Sequence, residues 1–562
     1  MNGGAEKVSA WQWLLPTAIP GVALAVISVF ASPFLGAKTV WLLVVGAMAA
    51  LACIICSTWS GISRIASEEF LPKFPLKSFL WSAALWITIV IASTLHAHNW
   101  AEAWHVLAPY AAAAFLLIAF IRRRISAEVM VAAIAVSALT VAALAISGHF
   151  GYDLPRLFGG VAAPGRMRSA STLGNPLFVA SFLSSAIWAV LALPLRPVWR
   201  IAAAMVVLGG MAATSERTAL FAFAAGAIVF ALSQVGATFR QRALVLALLL
   251  LIAGWYASGH DHNPRSLAEA AQGRIFLWKH SLRDVTLLGS GPGSFYRVYN
   301  RNLREAAAAI PPSQFHFINY ETDSYNIFVQ ALVENGLFGL TAMLVFFVAW
   351  FRIACHARKD VRGRYALAGV AAFLASGVCD DPLSRPEGMV LLAAWLALPA
   401  LLILRDNLFP HNSESFKIKS SRSGITKAFP IIAPFIFMLL LGAAAITAFT
   451  NYAVRASEQA EDRGNWARAE GLDRTVLRLN PAQRDARYNL VRVLAKSGKY
   501  QASLSESEKA LDWVNEAELH VIRIRVLPML GRTQQAREEL THAREEFPWS
   551  KRLQQESMPG SN

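Results

Sequence analysis

Residues 121–147 read IRRRISAEVMVAAIAVSALTVAALAIS: three arginines, then a long apolar run whose single charge is Glu128. A bilayer core takes about 20 apolar residues of helix, so 127–147 reads as a transmembrane helix. Arg122, Arg123 and Arg124 then mark its cytoplasmic end, because Lys and Arg accumulate in cytoplasmic loops. The same signature recurs along the chain. Spans are expected near 13–32, 38–58, 77–96, 103–121, 127–147, 176–194, 198–214, 218–236, 241–258, 325–351, 364–379, 388–404 and 428–450. The expected fold is therefore all-α: a polytopic membrane helix bundle of about 13 transmembrane helices over 1–450, followed by a soluble α-helical repeat domain over 451–562.

Composition agrees. Of 562 residues, 55% are hydrophobic and 16% charged, with a mean hydropathy of +0.43, whereas soluble domains carry about 25% charge. The last stretch alone is rich in Arg, Glu, Lys and Gln, which separates a membrane part from a soluble one. The net charge of +16 lies largely in short loops between apolar runs, which encodes orientation and excludes nucleic acid as a partner. Cys53 and Cys56 form a CxxC inside the apolar run LVVGAMAALACIIC and read as buried small residues. Cys355 and Cys379 fall at opposite ends of a hairpin, so no disulfide framework is expected. The first run is too long, and lacks a small-residue cleavage site, to be a removed signal peptide. His96, His98 and His105 read as lining an outer loop, and no metal or cofactor is expected.

The basic residues Arg64, Lys73, Lys77, Arg122–Arg124, Arg196, Arg200, Arg240, Arg242, Arg352, Arg358, Lys359, Arg362, Arg364, Lys417, Lys419, Arg422 and Lys427 all follow even-numbered spans. That places the N-terminus in the cytoplasm, and puts loops 148–175 and 259–324 and everything after 450 outside. In this last region Gly464-Asn-Trp466, Gly498-Lys-Tyr500 and Gly531-Arg-Thr533 recur at spacings of 34 and 33 residues. Pro481 and Pro548 fall 17 residues after the first and third glycines, and Ala469 and Ala536 five after them, while the middle unit has Ser503 and Asn515 at those places. This resembles the tetratricopeptide repeat, whose glycine lets paired helices approach and whose proline ends the second helix. So few repeats would pack on the membrane part or bind a protein partner.

Candidate chemistry lies at the outer ends of spans. Arg217 opens a span within Ser-Glu-Arg217; Gly273-Arg274 precedes Trp278; Gly289-Ser-Gly291-Pro-Gly293-Ser-Phe295 follows; and Asp323-Ser-Tyr325-Asn326 leads into Gln330, Glu334 and Gly336. The glycine run lacks the surrounding βαβ pattern of a dinucleotide site. Upstream stands Arg168-Ser-Ala-Ser-Thr-Leu-Gly174-Asn175-Pro176.

Taken together and in order, over about 160–345, these stretches resemble the O-antigen ligase/polymerase (Wzy-C) family. Three positions depart from its pattern: the family's Ser-Arg is Ser-Glu-Arg217 here, the second Asn of Gly-Asn-Pro-Asn is Leu177, and the His of His-Asn is Tyr325. The resemblance implies a multi-pass protein of the bacterial inner membrane, in contact with membrane lipids, whose C-terminal region is periplasmic. It would transfer a glycan from an undecaprenyl-diphosphate carrier to an acceptor hydroxyl on lipid A core, a growing polysaccharide or a protein. Arginine suits such a donor, since its planar fork pairs with phosphate oxygens and stays charged. On this reading Arg217 and Arg274 hold the diphosphate. Arg168 helps, and Asn175, Trp278 and Asn326 contact substrate. The base remains open among Tyr325, Asp323, Glu321 and His316, because an ordinary phenol titrates near 10. Two other classes stand beside this one: a transporter of lipid-linked glycans, and a non-catalytic membrane scaffold displaying the repeats.

Overall fold

The structure, a computed structural model, describes residues 10–26, 28–55, 76–152, 169–234, 267–318, 321–408, 424–481, 483–513 and 515–557. Among these residues every regular element is helical. After a lead-in at Trp11–Leu14 and a 3-10 turn at Leu15–Thr17 come α1 (Ala18–Leu24), α2 (Leu35–Ile55), α3 (Leu76–Leu95), α4 (Trp100–Arg122) and α5 (Ala127–His149). They are followed by α6 (Pro176–Ala192), α7 (Pro197–Thr214), α8 (Arg217–Ser233), α9 (Leu267–Ser281) and α10 (Phe295–Ala308). Next are α11 (Ile327–Ala357), α12 (Val361–Ser376), α13 (Pro386–Leu408) and α14 (Gly424–Asp462).

Eight of these, α2, α3, α4, α5, α7, α11, α13 and α14, are long and apolar enough to cross a membrane, and α6 and α8 are shorter apolar helices. Helices lie near most of the expected spans, but the described residues hold eight candidate crossings and not 13, and α12, at the expected span 364–379, is not among them; two further spans differ. The expected span 241–258 lies outside the described residues. The expected span 13–32 is not one helix, because α1 stops at Leu24 and Ala25 turns to an extended ψ of 123°. The carbonyls freed there do not stay bare: Thr172 Oγ1 donates to Ala23 O at 2.9 Å, and Lys38 Nζ donates to Ala25 O at 2.9 Å and Thr172 O at 2.6 Å. An irregular backbone at this depth survives only when protein groups complete its hydrogen bonds.

Helix α13 is central, with 83% of its apolar window buried, whereas α3 is peripheral at 17% and turns Trp81 and Ile87 outward. Close approach is set by small residues, as is common between membrane helices; a Cβ on Gly46 of α2 would sit 2.4 Å from the Ala112 Cβ of α4. Polar pairs gather at the two ends of the bundle. One end gathers Arg362 with Glu128 (2.5 Å), Arg405 with Asp360 (2.9 Å) and Arg364 with Gln234 (2.5 Å). The opposite end gathers Lys38 with Thr172, Ser169 N with Ala213 O, and Asn326 with Val378.

Helix α14 has 39 residues, about 58 Å at 1.5 Å per residue. It is followed by α15 (Trp466–Leu479), α16 (Arg484–Lys496), α17 (Tyr500–Leu511), α18 (Ala517–Met529), α19 (Thr533–Glu546) and α20 (Lys551–Gln555), each packed on the next. Pro481 and Pro548 directly follow the C-caps of α15 and α19. The three spaced glycines act differently from expectation. Gly464, Gly498 and Gly531 each have a φ between +70° and +77°, and a Cβ at any of them would meet nothing within 4 Å. They serve the left-handed turn between helices, not helix approach.

Within this region Asp473 is fully buried. Burial, helped by Glu461 and Glu458 and opposed by Ser457 and Arg492, pushes its carboxyl up to about 7. The folded chain therefore prefers the protonated acid. Stability from this group is complete below the ordinary carboxylate range and is lost as pH rises through about 7. Asp473→Asn should raise the unfolding temperature of the purified chain at pH 8 and leave it unchanged near pH 4, as read by scanning calorimetry.

Candidate functional site

Helix α11 is two half-helices. At Gly336 the backbone takes φ +70° and ψ −171°, a conformation closed to side-chain-bearing residues. The interruption frees backbone groups, and the glycine-rich stretch 287–293 supplies their partners. Ser290 N donates to Val333 O (3.0 Å), Gly291 N to Glu334 O (2.9 Å), and Phe338 N to Leu287 O (3.1 Å). Ser93 Oγ adds a bond to Glu334 O at 2.7 Å. The two backbones touch so closely that a Cβ on Gly289 would lie 2.3 Å from Glu334 O, and one on Gly336 would lie 2.3 Å from Leu287 O. This packing gives the glycine run its purpose, since Ser290, Gly291 and Gly293 direct their N–H groups at α11 and not at a phosphate.

A side-chain network starts from the same break. Glu334 Oε1 accepts from Gly293 N (2.9 Å) and from Gln330 Nε2 (2.8 Å). Gln330 Oε1 accepts from Ser324 N (2.9 Å), and Ser324 O accepts from Trp278 Nε1 (2.8 Å). Thus α9, the glycine stretch, α11 and the 321–326 loop are joined. Asn326, expected to contact substrate, is the N-cap of α11. Its Oδ1 accepts from Phe328 N and Val329 N, and its Nδ2 donates to Val378 O at 3.0 Å. Asn175 is likewise the N-cap of α6, accepting from Leu177 N at 2.9 Å.

The loop between α12 and α13 was missed from sequence. Arg385 donates to Asp380 twice, at 2.8 and 2.6 Å, and its guanidinium lies 3.3 Å from the centroid of Phe178 on α6. Ser181 Oγ donates to Asp380 at 2.5 Å. Asp381 Oδ1 caps Leu383 N and Ser384 N. Arg385, Asp380, Asp381 and Glu387 are all buried, as is Lys38. Buried charge at the end of a membrane bundle is expensive and marks function or a compensated core. The signal was present in the sequence: Asp380-Asp381-Pro-Leu-Ser-Arg385-Pro-Glu387 places four charges between two apolar runs.

Around this centre the carboxylates of the 321–326 loop are displaced from their ordinary behaviour. Burial pushes Asp323 up, with Asp380 adding and Arg385 opposing. Burial also raises Glu321, with the Tyr325 hydrogen bond opposing and Asp323 adding. Asp381 is driven to about 7 by burial and by Asp323, against Arg385. Tyr325 donates its phenol proton to Glu321 Oε2 at 2.9 Å, and its backbone N donates to Asp323 Oδ1 at 3.1 Å. Burial and these acids hold the phenol proton on more tightly than in a free tyrosine. Tyr325 orients Glu321.

The structure therefore unites Trp278, Asp323, Tyr325 and Asn326 with Arg385, which sequence reasoning had not named. Arg274 shares α9 with Trp278, is half-buried, and has no ion-pair or hydrogen-bond partner among the described residues. Arg217 begins α8 directly after Glu216, half-buried, and α8 packs on α12. Arg168 lies outside the described residues. His316 sits in the 3-10 turn Pro312–Phe317, and its side chain is outside the described set. Three non-glycine residues in these stretches adopt left-handed φ: Ser171 (+46°), Ser215 (+53°) and Tyr325 (+50°). Such strain concentrates where a surrounding structure holds residues for a task. Among the described residues no three His, Cys, Asp or Glu side chains converge to hold a metal.

Gln330 connects two loops through one amide. Gln330→Ala strips a donor from buried Glu334 and an acceptor from Ser324 N–H, which should lower stability by about 1–3 kcal/mol, measured as a fall in thermal midpoint in detergent. Gly336→Ala and Gly289→Ala should be worse, adding about 1–3 kcal/mol of backbone strain to a clash, whereas Gly442→Ala, with open space around its Cβ, should be silent.

A scan against protein-family models and a search of curated proteins find no match to this chain.

Proposed function

We propose that the chain is a membrane glycosyltransferase that moves a glycan from an undecaprenyl-diphosphate carrier to an acceptor hydroxyl at the outer, periplasmic end of the bundle, in surface-polysaccharide assembly. One observation carries the reading: Glu321 and Asp323, buried carboxyls raised above their usual range, lie in the loop whose Ser324 is hydrogen-bonded to Trp278, on the same helix, α9, as half-buried Arg274. A base displaced toward working pH and a cation for the departing diphosphate are what such a transfer needs.

In the proposed step the acceptor oxygen attacks the anomeric carbon, and its proton passes to Glu321 or Asp323. The anomeric C–O bond breaks and the diphosphate leaves with the bonding pair. Arg217 and Arg274 stabilise its growing negative charge, an effect amplified in a poorly solvated site. The acceptor is a polymer or protein hydroxyl or lipid A core, and the repeat-like C-terminal helices, resembling tetratricopeptide repeats, favour a polymer or protein. A second reading, a non-catalytic scaffold, is favoured by the purely structural engagement of the glycine stretch and Asn326.

The test is complementation of a deletion strain, with membrane levels checked and glycans read by gel and blot. Arg274→Ala and Arg217→Ala should each abolish transfer while carrier-linked glycan accumulates. Full complementation by both would replace the transferase with the scaffold. The pH profile of transfer then assigns the base. Tyr325→Phe removes the hydrogen bond that lowers Glu321, so the acid limb should move to higher pH if Glu321 is the base. A stationary limb would assign the role to Asp323.

A further inference from the structure

The C-terminal helices do not stand clear of the membrane part. Ala31 N donates to Asn451 O at 2.9 Å where α14 leaves the bundle. Further out, the Glu102 carboxyl of α4 is hydrogen-bonded to the Asn480 side chain. The rings of His98 and Trp513 lie 5.3 Å apart, and Arg487 covers the other partner of that contact, 5.3 Å from the Trp513 centroid. Tyr296 of α10 donates its hydroxyl proton to Glu516, which also pairs with Arg484, while the Arg484 guanidinium lies 5.2 Å from the Tyr296 centroid.

Trp549, between α19 and α20, reaches furthest. It joins two apolar clusters at once. One is the core of the last helices, formed by Ile524, Leu540 and Phe547, with the Phe547 ring 5.5 Å away and edge-on. The other is the outer-loop core of Phe276, Leu277, Phe295 and Tyr299, on which Trp278 and Tyr325 also pack. A residue close to the end of the chain thus belongs to the same apolar cluster as two residues of the candidate site. An indole in that position excludes water from the cluster and fixes it against a second rigid core.

We infer that the C-terminal helices are a fixed wall of the outer site, docked in cis, and that Trp549 is a positioning residue which holds α9, and with it Trp278 and Arg274, against the Tyr325 loop. The activity consequence rests on the transferase reading above; the docking itself does not.

The experiment compares full-length wild type, Trp549→Ala and Trp549→Phe in membranes, at matched protein levels, by limited trypsin digestion and by transfer of glycan. Cleavage at Lys279, Arg283 and Arg301, all exposed on the outer helices, reports how firmly α9 and α10 are held. Trp549→Ala should increase that cleavage several-fold and lower kcat by ten-fold or more with a smaller change in KM, and Trp549→Phe should restore both. Unchanged cleavage overturns the docking; increased cleavage with unchanged kcat overturns the positioning role. If wild type itself transfers no glycan, the transferase reading fails, and the cleavage arm alone decides the wall: protection lost in Trp549→Ala upholds it, protection kept overturns it.

Discussion

Every backbone N–H and C=O within a bilayer must find its partner inside the protein, and this chain breaks its helices in two places where that demand is hardest to meet. At Ala25 the freed carbonyls are taken by Lys38 and Thr172. At Gly336 they are taken by Gly291 and Ser93, with Ser290 and Phe338 completing the seam. Both repairs draw on segments remote in sequence, so each fixes a tertiary relationship. Lys38 ties α2 to the loop before α6. The glycine stretch ties the outer helices to the middle of α11. At this end of the molecule the broken helices are completed by loops remote in sequence.

Charge is handled by the same logic. Arg385 is buried, yet two bonds to Asp380 and the face of Phe178 replace its water. Asp380 in turn receives the Ser181 hydroxyl. One guanidinium does not balance all the acids around it, and burial dominates for Asp323, Glu321 and Asp381, which are pushed toward their neutral forms. A buried pair alone is weak support for stability, and a strained Tyr325 beside it adds a further cost of order 1–3 kcal/mol. Features that oppose stability and cluster in one place single this cluster out as the candidate site.

The C-terminal helices belong to that end of the molecule and are no appendage. Helix α14 continues unbroken out of the bundle, and Glu516, Trp513 and Trp549 touch three different outer elements. An uninterrupted helix with lateral docking leaves little freedom for a hinge, in contrast to the Gly- or Pro-rich linkers that join mobile domains.

What the sequence determined by itself is what local chemistry dictates. Long apolar runs become helices whatever surrounds them, so the boundaries of α4, α5 and α7 were legible to within a few residues. The left-handed turns at Gly464, Gly498 and Gly531 were marked by spacing, although their cause was a positive φ and not close packing. Motif residues were visible too, but not their tasks. That the glycine run mends α11 and that Asn326 also holds Val378 depend on partners tens of residues away, whereas the caps made by Asn326 and Asn175 are local. Only the tertiary structure decided that Arg385 is the centre of the site, because an arginine in a loop reads the same whether it faces water or is stacked on Phe178 and clamped by Asp380. Periodicity records which face of a segment is apolar; it holds no record of which remote segment will complete a broken helix or compensate a buried charge.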